Sequence, residues 1–456
     1  MDLQLLQDTL DQAGEPPYRA QQVWRWLVKG ADSFDQMSDL PLQLRSLLSS
    51  RLPISCLTLQ RREQSADRTI KALLYTADKL PVEAVLMRYR DGRRSICLSA
   101  QSGCPLTCSF CATGAMPFRR NLTASEILDQ AFALWKLAMR SQPKHERSER
   151  RASRQASHPD FLGGRPRGRA PVLAAERAHQ DEEITSSGEG ITSSGEKLTN
   201  CVFMGMGEPM LNLDAVLAAA ARLPDLGISH RHITISTAGW IPGIEALAEQ
   251  PLPLRLALSL HAPEDSLRSQ LMPINDRHPI REVLAACRRF HLAKRRRVFI
   301  EYVMLAGVND SWQQALQLAQ LLQEFSADLS GSSAQPAAGG SSTPHGSSGS
   351  STKPDRSIFK VNLIPYNPTA TGSGLSCSSV EAIAAFKSVL LSHHIPVTVR
   401  LNRGRDIDAA CGQLAARSHH AAFAKAPKAH LGSSTVVGLP AASITSADTA
   451  PGRRMM

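Results

Sequence analysis

The sequence predicts an α/β fold: a partial (β/α)6 barrel with a small helical N-terminal domain and disordered inserts. Three observations lead to this prediction. Six strand-like apolar runs alternate with helical stretches, which is typical of parallel strands joined by helical crossovers. Small, polar or acidic residues follow each run, as expected where a ligand site forms at the carboxyl ends of strands. Two long stretches of low apolar content interrupt the alternation.

Residues 1–55 are predicted to form the helical N-terminal domain. Apolar residues recur there at helical spacing, namely Val23, Trp24, Trp26 and Leu27. The stretch "DLPLQL" then places a proline near a helix start. Strand-like runs that include "IKALLY" and "PVEAVLMRY" lead into the main domain, which is predicted to span 56–140 and 198–416.

Six strand–helix pairs define the main domain. They are "RRSICLSA" with helix 124–140, "NCVFMGM" with 213–223, "RHITIST" with 242–248, "LRLALSL" with 280–293, "RVFIEYVML" with 311–325 and "FKVNLIP" with 379–393. Six repeats indicate an incomplete barrel, because the full barrel needs eight. Since parallel strands point the same way, the groups that follow them are expected to converge in one cleft.

Three segments are predicted to be disordered. Residues 141–197 are rich in Ser, Arg and Glu, residues 328–356 are dominated by Ser, Gly, Ala and Pro, and the tail 417–456 has a similar composition. None can bury enough apolar surface to offset the entropy of ordering. The two inserts fall between a helix and the next strand, so we expect them on the side opposite the active face.

The formal net charge of +11 on 456 residues favours a polyanionic partner. More than half of the excess lies in residues 140–169, where nine Lys or Arg stand against three acidic residues. Because that segment is predicted to be disordered, it is either a tethered nucleic-acid arm or a solvated linker. Lys294–Arg297 and the pair Arg119–Arg120 are stronger candidates, since they flank elements predicted to fold.

The sequence shows no recognisable targeting signal or membrane-spanning segment. No apolar run reaches the roughly 18 residues that a membrane span needs, and the start "MDLQLLQDTLDQ" resembles no leader. We expect a soluble protein without a membrane partner, in the cytoplasm of a bacterium or, with no transit peptide visible, in a eukaryotic plastid or mitochondrion. Six of the nine cysteines are scattered, which indicates a reducing compartment: Cys56, Cys97, Cys201, Cys287, Cys377 and Cys411.

The other three cysteines carry the strongest chemical signal. Cys104, Cys108 and Cys111 stand at a CxxxCxxC spacing in "CPLTCSFC", directly after an apolar run. Thiolates select iron–sulfur clusters and zinc, and both centres normally have a fourth protein ligand. A 4Fe-4S cluster held by three cysteines would leave one iron open to a small molecule. A zinc site and a chance spacing are the alternatives.

Seven motifs together resemble the RlmN/Cfr-type radical S-adenosylmethionine (SAM) methyltransferases. In chain order they are the cysteine loop, "FMGMGEPMLN", "STAG", "SLHAP", "EYVML", "NLIPYNP" and "RGRDIDAACGQL". The resemblance covers residues 1–140, 198–327 and 357–416. It implies methylation of carbon 2 of an adenine in 23S-type rRNA, with tRNA as a second candidate substrate.

The resemblance also implies a 4Fe-4S cluster and two SAM molecules per turnover. Cys104, Cys108 and Cys111 would hold the cluster, and SAM would chelate the fourth iron. The residues that match the SAM contacts of the family are Gly207, Glu208, Ser236, Ser259, Leu260, His261 and Asn367. Each alone has an ordinary alternative, such as a glycine turn or an Asn-Pro turn, but all of them follow predicted strands.

Three catalytic residues follow from the same resemblance. Cys411, whose neighbours are small, would carry a methyl group from one SAM; a radical formed from a second SAM would take a hydrogen from that methyl, and the carbon would add to the base. Attack by Cys97 would then resolve the adduct and leave a Cys97–Cys411 disulfide. Glu83 matches the proton acceptor. A pair of ordinary buried cysteines is the alternative.

An RNA partner follows from the implied reaction. A carbon of a stacked adenine is inaccessible, so the target must be flipped or unstacked into the cleft. Residues 1–55 and the basic patches would contact phosphates. We also expect an electron donor such as flavodoxin or ferredoxin, and a monomer. The alternatives are a carbon-8 methyltransferase, an inert iron–sulfur RNA-binding protein and a zinc-stabilised binding protein.

Overall fold

The computed structural model describes residues 1–140, 197–327, 357–369, 374–400 and 402–414. The segments predicted to be disordered lie outside the described residues, apart from Lys197. Their disorder and their position relative to the active face therefore stay predictions.

A ten-stranded sheet forms the body of the structure. The described strands are β1 (Leu57–Gln64), β2 (Ile70–Thr76), β3 (Pro81–Arg88), β4 (Arg94–Cys97), β5 (Gln101–Ser102), β6 (Arg120–Asn121), β7 (Asn200–Phe203), β8 (Ile233–Thr237), β9 (Arg255–Ser259), β10 (Val298–Met304), β11 (Phe359–Pro365) and β12 (Val397–Val399). The sheet runs β1-β2-β3-β4-β7-β8-β9-β10-β11-β12, and β5 pairs with β6 apart from it. Strands β1 to β4 are antiparallel. From β4 to β12 every pair in the sheet is parallel.

Helices cover the parallel part of the sheet. The described α-helices are α1 (Leu3–Gln12), α2 (Tyr18–Val28), α3 (Leu42–Arg51), α4 (Ala124–Arg140), α5 (Leu213–Arg222), α6 (Ile241–Glu249), α7 (Asp265–Leu271), α8 (Ile280–Lys294), α9 (Trp312–Ala327) and α10 (Val380–Ser392). The prediction of six strand–helix units in an incomplete barrel is confirmed. A seventh parallel strand, β12, was not predicted, because three residues are too few to show a periodic pattern.

Local sequence signals explain where these elements begin. A capping box opens α4: the Thr123 hydroxyl accepts from the Glu126 backbone N–H at 3.1 Å, and the Glu126 carboxylate accepts from the Thr123 N–H at 2.9 Å. Strand β10 is rich in β-branched and aromatic residues and almost wholly buried, as a parallel strand covered on both faces should be.

The N-terminal helices pack on α4 and share its apolar core. Trp24 of α2 meets Phe132 edge to face, with ring centroids 5.3 Å apart, and its indole N–H donates to Asp225 at 2.8 Å. Trp135 in turn donates to the Val28 carbonyl at 3.2 Å. The helical character of residues 1–55 is confirmed, whereas their independence as a domain stays a prediction. Among the helices of the described ranges, none is long and apolar enough to cross a membrane.

Candidate active site

A cleft lies at the carboxyl edge of the parallel strands, where the sequence predicted one. Nine of the residues singled out from the sequence line it: Cys104, Cys108, Cys111, Gly207, Glu208, Ser236, Ser259, His261 and Cys411. Four others lie outside this lining, namely Glu83, Cys97, Leu260 and Asn367. The parallel topology brings together residues from the loops after β4 and β7 and from the ends of β8 and β9.

Tight backbone packing shapes the cysteine loop (residues 103–114). Gly103 has φ +77°, and a Cβ there would lie 2.1 Å from the Pro117 carbonyl oxygen. A Cβ on Gly114 would lie 2.8 Å from the Cys108 carbonyl oxygen. Because neither position accommodates a side chain, the loop can fold back on itself and place its three thiols on the cleft.

Burial raises the pKa of the loop thiols. The pKa of Cys104 rises to about 12 and that of Cys108 lies well above the usual range. Burial also raises the pKa of Cys111, although hydrogen bonds from Gly114 and Thr113 oppose this. The thiols are therefore protonated at neutral pH, and a metal centre that binds them must displace protons. Three soft donors on one cleft fit a cluster with one open iron.

No group of three His, Cys, Asp or Glu side chains in the described ranges is arranged to hold a single metal ion. Besides the thiols, an acceptor without a partner lies next to Cys411, just outside the cleft lining. Asn367 is 2% exposed, its Nδ2 donates to the Cys411 carbonyl at 3.3 Å, and its Oδ1 is buried without a partner among the described residues. A polar ligand in this cleft could satisfy such an atom. The residues present thus fit a cluster with a polar organic ligand.

Two hydrogen bonds join the cysteine loop to the segment around Cys411. The Ala112 N–H donates to the Gly412 carbonyl at 2.8 Å, and the Thr113 hydroxyl donates to the Leu414 carbonyl at 2.6 Å. The second bond connects residues 301 positions apart in the chain. They place the Cys411 thiol on the same cleft as the three loop cysteines.

Cys97 lies behind Cys411 in a small apolar cluster with Val85, Met206, Ala409 and Leu414. Cys97 is 7% exposed, whereas Cys411 is exposed at the cleft, and both are free thiols. Burial raises the pKa of Cys97 to about 12, and the charge of nearby Cys411 raises it further. Desolvation by the atoms packed around its thiol also raises the pKa of Cys411, while the Arg400 guanidinium opposes this rise.

Glu208 connects the loop after β7 to the end of β8. Its carboxylate accepts from the Met210 N–H at 3.0 Å and from the Ala238 N–H at 2.8 Å. Burial raises its pKa to about 7, against the effect of these bonds. Gly207 before it has φ +92°, and a Cβ there would lie 2.4 Å from Cβ of Gln101. The "GMGEP" motif therefore packs closely against the strand that precedes the cysteines.

His261 is a neutral imidazole at the cleft. Its Nδ1 accepts from the Val303 N–H at 3.0 Å, so the ring proton lies on Nε2. Burial lowers the pKa of His261 to about 3, and the positive charge of Arg268 lowers it further. Phe110 of the cysteine loop meets the ring edge to face at 4.7 Å. His261 can thus donate a hydrogen bond without carrying charge.

The remaining predicted SAM contacts lie near strand ends. Ser236 is in β8 and is 6% exposed, and Ser259 is the last residue of β9. The Leu260 side chain is buried, its N–H donates to the Glu301 carbonyl at 3.1 Å, and its carbonyl accepts from Arg268 at 3.1 Å, so both of its backbone groups have partners. The structure brings all three close to the cleft, and their contacts with SAM stay predictions.

Glu83 is not part of the cleft lining. It is 2% exposed in β3, its Oε1 lies 3.4 Å from Nζ of Lys71, and its N–H donates to the sulfur of Met206 at 3.3 Å. Lys71 also pairs with Glu63 at 3.1 Å. Glu83 is therefore held in a buried ion-pair network next to the Cys97 cluster.

Sequence reasoning missed a buried arginine. Arg268 of α7 is fully buried and donates to five oxygens: the carbonyls of Ala238, Ser259, Leu260 and His278, and Oδ1 of Asn275. We call Arg268 and the strand ends at 238, 259 and 260 the Arg268 wall. An arginine in a short amphipathic helix is normally exposed, and its carbonyl partners leave no trace in the sequence.

A second buried network lies beside Cys411. Glu301 of β10 is 1% exposed and accepts from Arg400 at 3.0 Å and from Asn362 at 2.9 Å. We call these three residues the Arg400 wall. The sequence held a signal here, because a glutamate inside the apolar run "RVFIEYVML" must be paired when it is buried.

Comparisons with known proteins agree with this architecture. Residues 1–54 match the model of the ribosomal RNA large subunit methyltransferase N-terminal domain, and residues 189–319 match the radical SAM superfamily. A probable dual-specificity RNA methyltransferase RlmN from Chloroflexus aurantiacus is 39% identical over 91% of this chain and 92% of its own length. The chain belongs to the RlmN family of radical SAM methyltransferases. Another RlmN relative, from Anaeromyxobacter dehalogenans, is 36% identical over 88% of this chain and 87% of its own.

A solved structure extends the family match to the fold. A radical SAM methyltransferase from Sphaerobacter thermophilus is 37% identical, superposes with a TM-score of 0.68 and covers 91% of this chain and 98% of its own. As a member of the RlmN family, the chain is a SAM-dependent RNA methyltransferase with a 4Fe-4S cluster and two SAM molecules per turnover. An RNA substrate fits this family.

Proposed function

We propose that this chain methylates carbon 2 of an adenine in 23S-type rRNA and that tRNA is its second substrate. The reaction would proceed through S-methylcysteine at Cys411 and a transient Cys97–Cys411 disulfide. One observation carries this proposal: Cys411 and the three loop cysteines line the same cleft. The relatives are named dual-specificity RNA methyltransferases, which supports two kinds of RNA substrate.

Three cysteines would hold the cluster, and the cleft residues would hold SAM. Cys104, Cys108 and Cys111 supply the thiolates; when bound, cluster and SAM supply the methyl group and the organic radical. Glu208 and Gly207 would offer a carboxylate and bare backbone to the amino group of SAM. His261 would donate a neutral N–H, and Ser236, Ser259, Leu260 and Asn367 would complete the site.

Cys411 is suited to carry a methyl group because it lines the cleft as an exposed residue and its neighbours are small. Ala409, Ala410 and Gly412 leave room for a flat base to approach the sulfur. Cys97 is suited to resolve the adduct because it shares an apolar cluster with residues on both sides of Cys411. Attack of the Cys97 thiolate on the Cys411 sulfur would form the disulfide bond and break the bond between that sulfur and the methylene carbon. The carbon would keep the electron pair and take a proton to become the methyl group of the base, and cellular thiols would reduce the disulfide.

Glu83 would act as the proton acceptor. Its carboxylate is paired with Lys71, and its backbone N–H donates to the sulfur of Met206, which packs in the same cluster as Cys97. A flavodoxin or ferredoxin would supply electrons, the protein would act as a monomer, and the cytoplasm would be its compartment in a bacterium.

An anaerobic assay with nucleoside mass analysis tests this function. The full chain, reconstituted with iron and sulfide, is incubated with SAM, a reductant and either an rRNA fragment or tRNA. We expect 2-methyladenosine in the rRNA fragment and in tRNA. Formation of 8-methyladenosine would contradict the proposed position, and absence of methylated adenosine would contradict the proposed activity.

A variant tests the proposed role of Cys97. Cys97→Ala should stall after the methylene carbon has joined Cys411 to the base, because no second thiol can release it. We expect a protein–RNA crosslink that migrates slowly in denaturing gels and shortens with RNase. Cys201→Ala, which changes another buried cysteine, is the matched control. Full activity of Cys97→Ala would contradict the assignment.

A further inference from the structure

The Arg400 wall contains an oxygen that none of the proposed roles uses. Glu301 lines the cleft, and its Oε1 already accepts from both Arg400 and Asn362. Its Oε2 is buried and has no hydrogen-bond partner among the described residues. A buried acceptor without a donor costs free energy, so such an atom on a ligand cleft indicates that a bound molecule supplies the donor.

The charge around Glu301 indicates what kind of donor is missing. Arg400 forms an ion pair with this carboxylate at 3.0 Å, so its negative charge is already compensated. A cation buried against Oε2 would add a second positive charge to one carboxylate, and such a charge is costly to desolvate. The open oxygen therefore suits a neutral O–H or N–H group.

The neighbours of Glu301 indicate the class of ligand. On one side, its Cα is paired in register with Ser259, and its carbonyl accepts from Leu260. On the other side, Arg400 reaches from Glu301 to the sulfur of Met204 at 3.6 Å and lies beside Cys411. Glu301 thus stands between the residues proposed to hold SAM and the thiol proposed to meet the base. Both ligands are nucleosides with neutral hydroxyl and amino donors.

We propose that Oε2 of Glu301 accepts a hydrogen bond from a nucleoside bound in the cleft, through a ribose hydroxyl or the exocyclic amino group. The inference rests on the proposed function, because that function puts nucleosides there. The nucleoside is either the adenosine of SAM or the target adenosine of the RNA. Arg400 and Asn362 orient the carboxylate by occupying Oε1.

Binding measurements on Glu301→Gln test the proposal. The amide oxygen of glutamine can still accept from Arg400, and its NH₂ group then takes the place of Oε2, so that a donor meets a donor. With reconstituted full-length protein kept anaerobic, the Kd of SAM is measured by equilibrium dialysis and that of the rRNA fragment by filter binding. We expect one Kd to rise at least about tenfold and the other to change less than about twofold.

The weakened ligand identifies the nucleoside: SAM for the cofactor, the rRNA fragment for the substrate. Glu324→Gln, which changes an exposed carboxylate paired with Arg281, is the matched control and should leave both constants unchanged. If both constants are also unchanged in Glu301→Gln, the proposal is wrong. If both constants rise, analogues of SAM and of the rRNA fragment that lack one hydrogen-bond donor show which of the two ligands bonds to Glu301.

The analogues test the hydrogen bond to Glu301 in the wild-type protein, so the test does not depend on how Glu301→Gln folds or binds. SAM and the rRNA fragment are each prepared with a 2′-deoxy, 3′-deoxy or N6,N6-dimethyl adenosine at the relevant position. One analogue should bind the wild-type protein at least about tenfold more weakly than its parent ligand. Glu301→Gln should bind that analogue and its parent with the same Kd. Equal binding of every analogue to wild type would overturn the proposal. Intact binding without methylated adenosine would instead overturn the proposed function alone.

Discussion

Two parts of the cleft hold an arginine in different ways. In the Arg268 wall, all the acceptors around the guanidinium are carbonyl or amide oxygens. In the Arg400 wall, the guanidinium faces the carboxylate of Glu301. The first arrangement ties together the ends of two strands, so it fixes the shape of the cleft. The second sets the charge beside Cys411, so it bears on the chemistry.

Cys411→Ala should cause the largest loss of activity. It changes the chemistry beside the Arg400 wall and leaves the Arg268 wall intact. Without the methyl-carrying thiol, methylation should fall at least about a thousandfold, while iron content and SAM binding stay unchanged. Nucleoside mass analysis and an iron assay measure the two quantities. Cys56→Ala, which removes a half-buried thiol near the N-terminus, should keep full activity. Product from Cys411→Ala above one hundredth of the wild-type amount would refute the carrier role.

Arg268→Met should destabilise the fold by about 3–5 kcal/mol, because it leaves several buried oxygens without donors. Urea unfolding of the metal-free chain measures this loss. Arg277→Met is the matched control: Arg277 is exposed and lies over the Trp240 ring, so its loss should cost less than about 1 kcal/mol. Equal costs for the two variants would remove the structural role given to the Arg268 wall.

Gly207→Ala should cost about 2–4 kcal/mol, because the position combines a left-handed φ with a clash against Gln101. Thermal and urea unfolding measure the cost. Gly307→Ala isolates the backbone contribution, because Gly307 has φ +68° and no atom lies within 4 Å of the place an alanine methyl group would take. This control should cost about 1 kcal/mol. A cost for Gly207→Ala no larger than this control would show that the loop adapts to the methyl group.

The smallest expected effect is a pH dependence from His261. Its pKa is about 3 when folded and 6.5 for the ordinary side chain, so the unfolded state binds the proton more tightly between these values. His261 should therefore contribute a loss of stability of about 1 kcal/mol between pH 7.5 and 5.5, whereas Glu208, whose pKa is raised to about 7, contributes a gain over the same range. Urea unfolding at the two pH values isolates the His261 contribution as a difference: the change in wild type and in His394→Gln should be about 1 kcal/mol less favourable than the change in His261→Gln. The same change in all three proteins would disprove it.

Local patterns explain what could be predicted from the sequence. Apolar runs and caps define the strands and helices, and the parallel topology sends the groups after each strand to one edge. That rule placed the three loop cysteines, Glu208 and His261 on one cleft. Cys411 came from the resemblance, because no periodic pattern surrounds it.

The residues that escaped prediction depend on long-range contacts. Arg268 is buried because carbonyls from two strand ends meet around it, and main-chain groups carry no sequence signal. Glu83 lies beside Lys71 and outside the cleft lining because β2 pairs with β3, and its role as proton acceptor stays a prediction. The partner of Glu301 lies 99 positions away in the chain and could not be inferred from spacing.

The bonds from Ala112 and Thr113 to the last described residues have a consequence for biosynthesis. During translation, the cysteine loop leaves the ribosome about three hundred residues before the segment that closes over it. Until Gly412 and Leu414 have been synthesised, the part of the cleft that they form is missing. Chains stopped by a premature stop codon before position 411 would therefore expose any inserted cluster to oxygen, and loading of iron and sulfide should follow release of the completed chain.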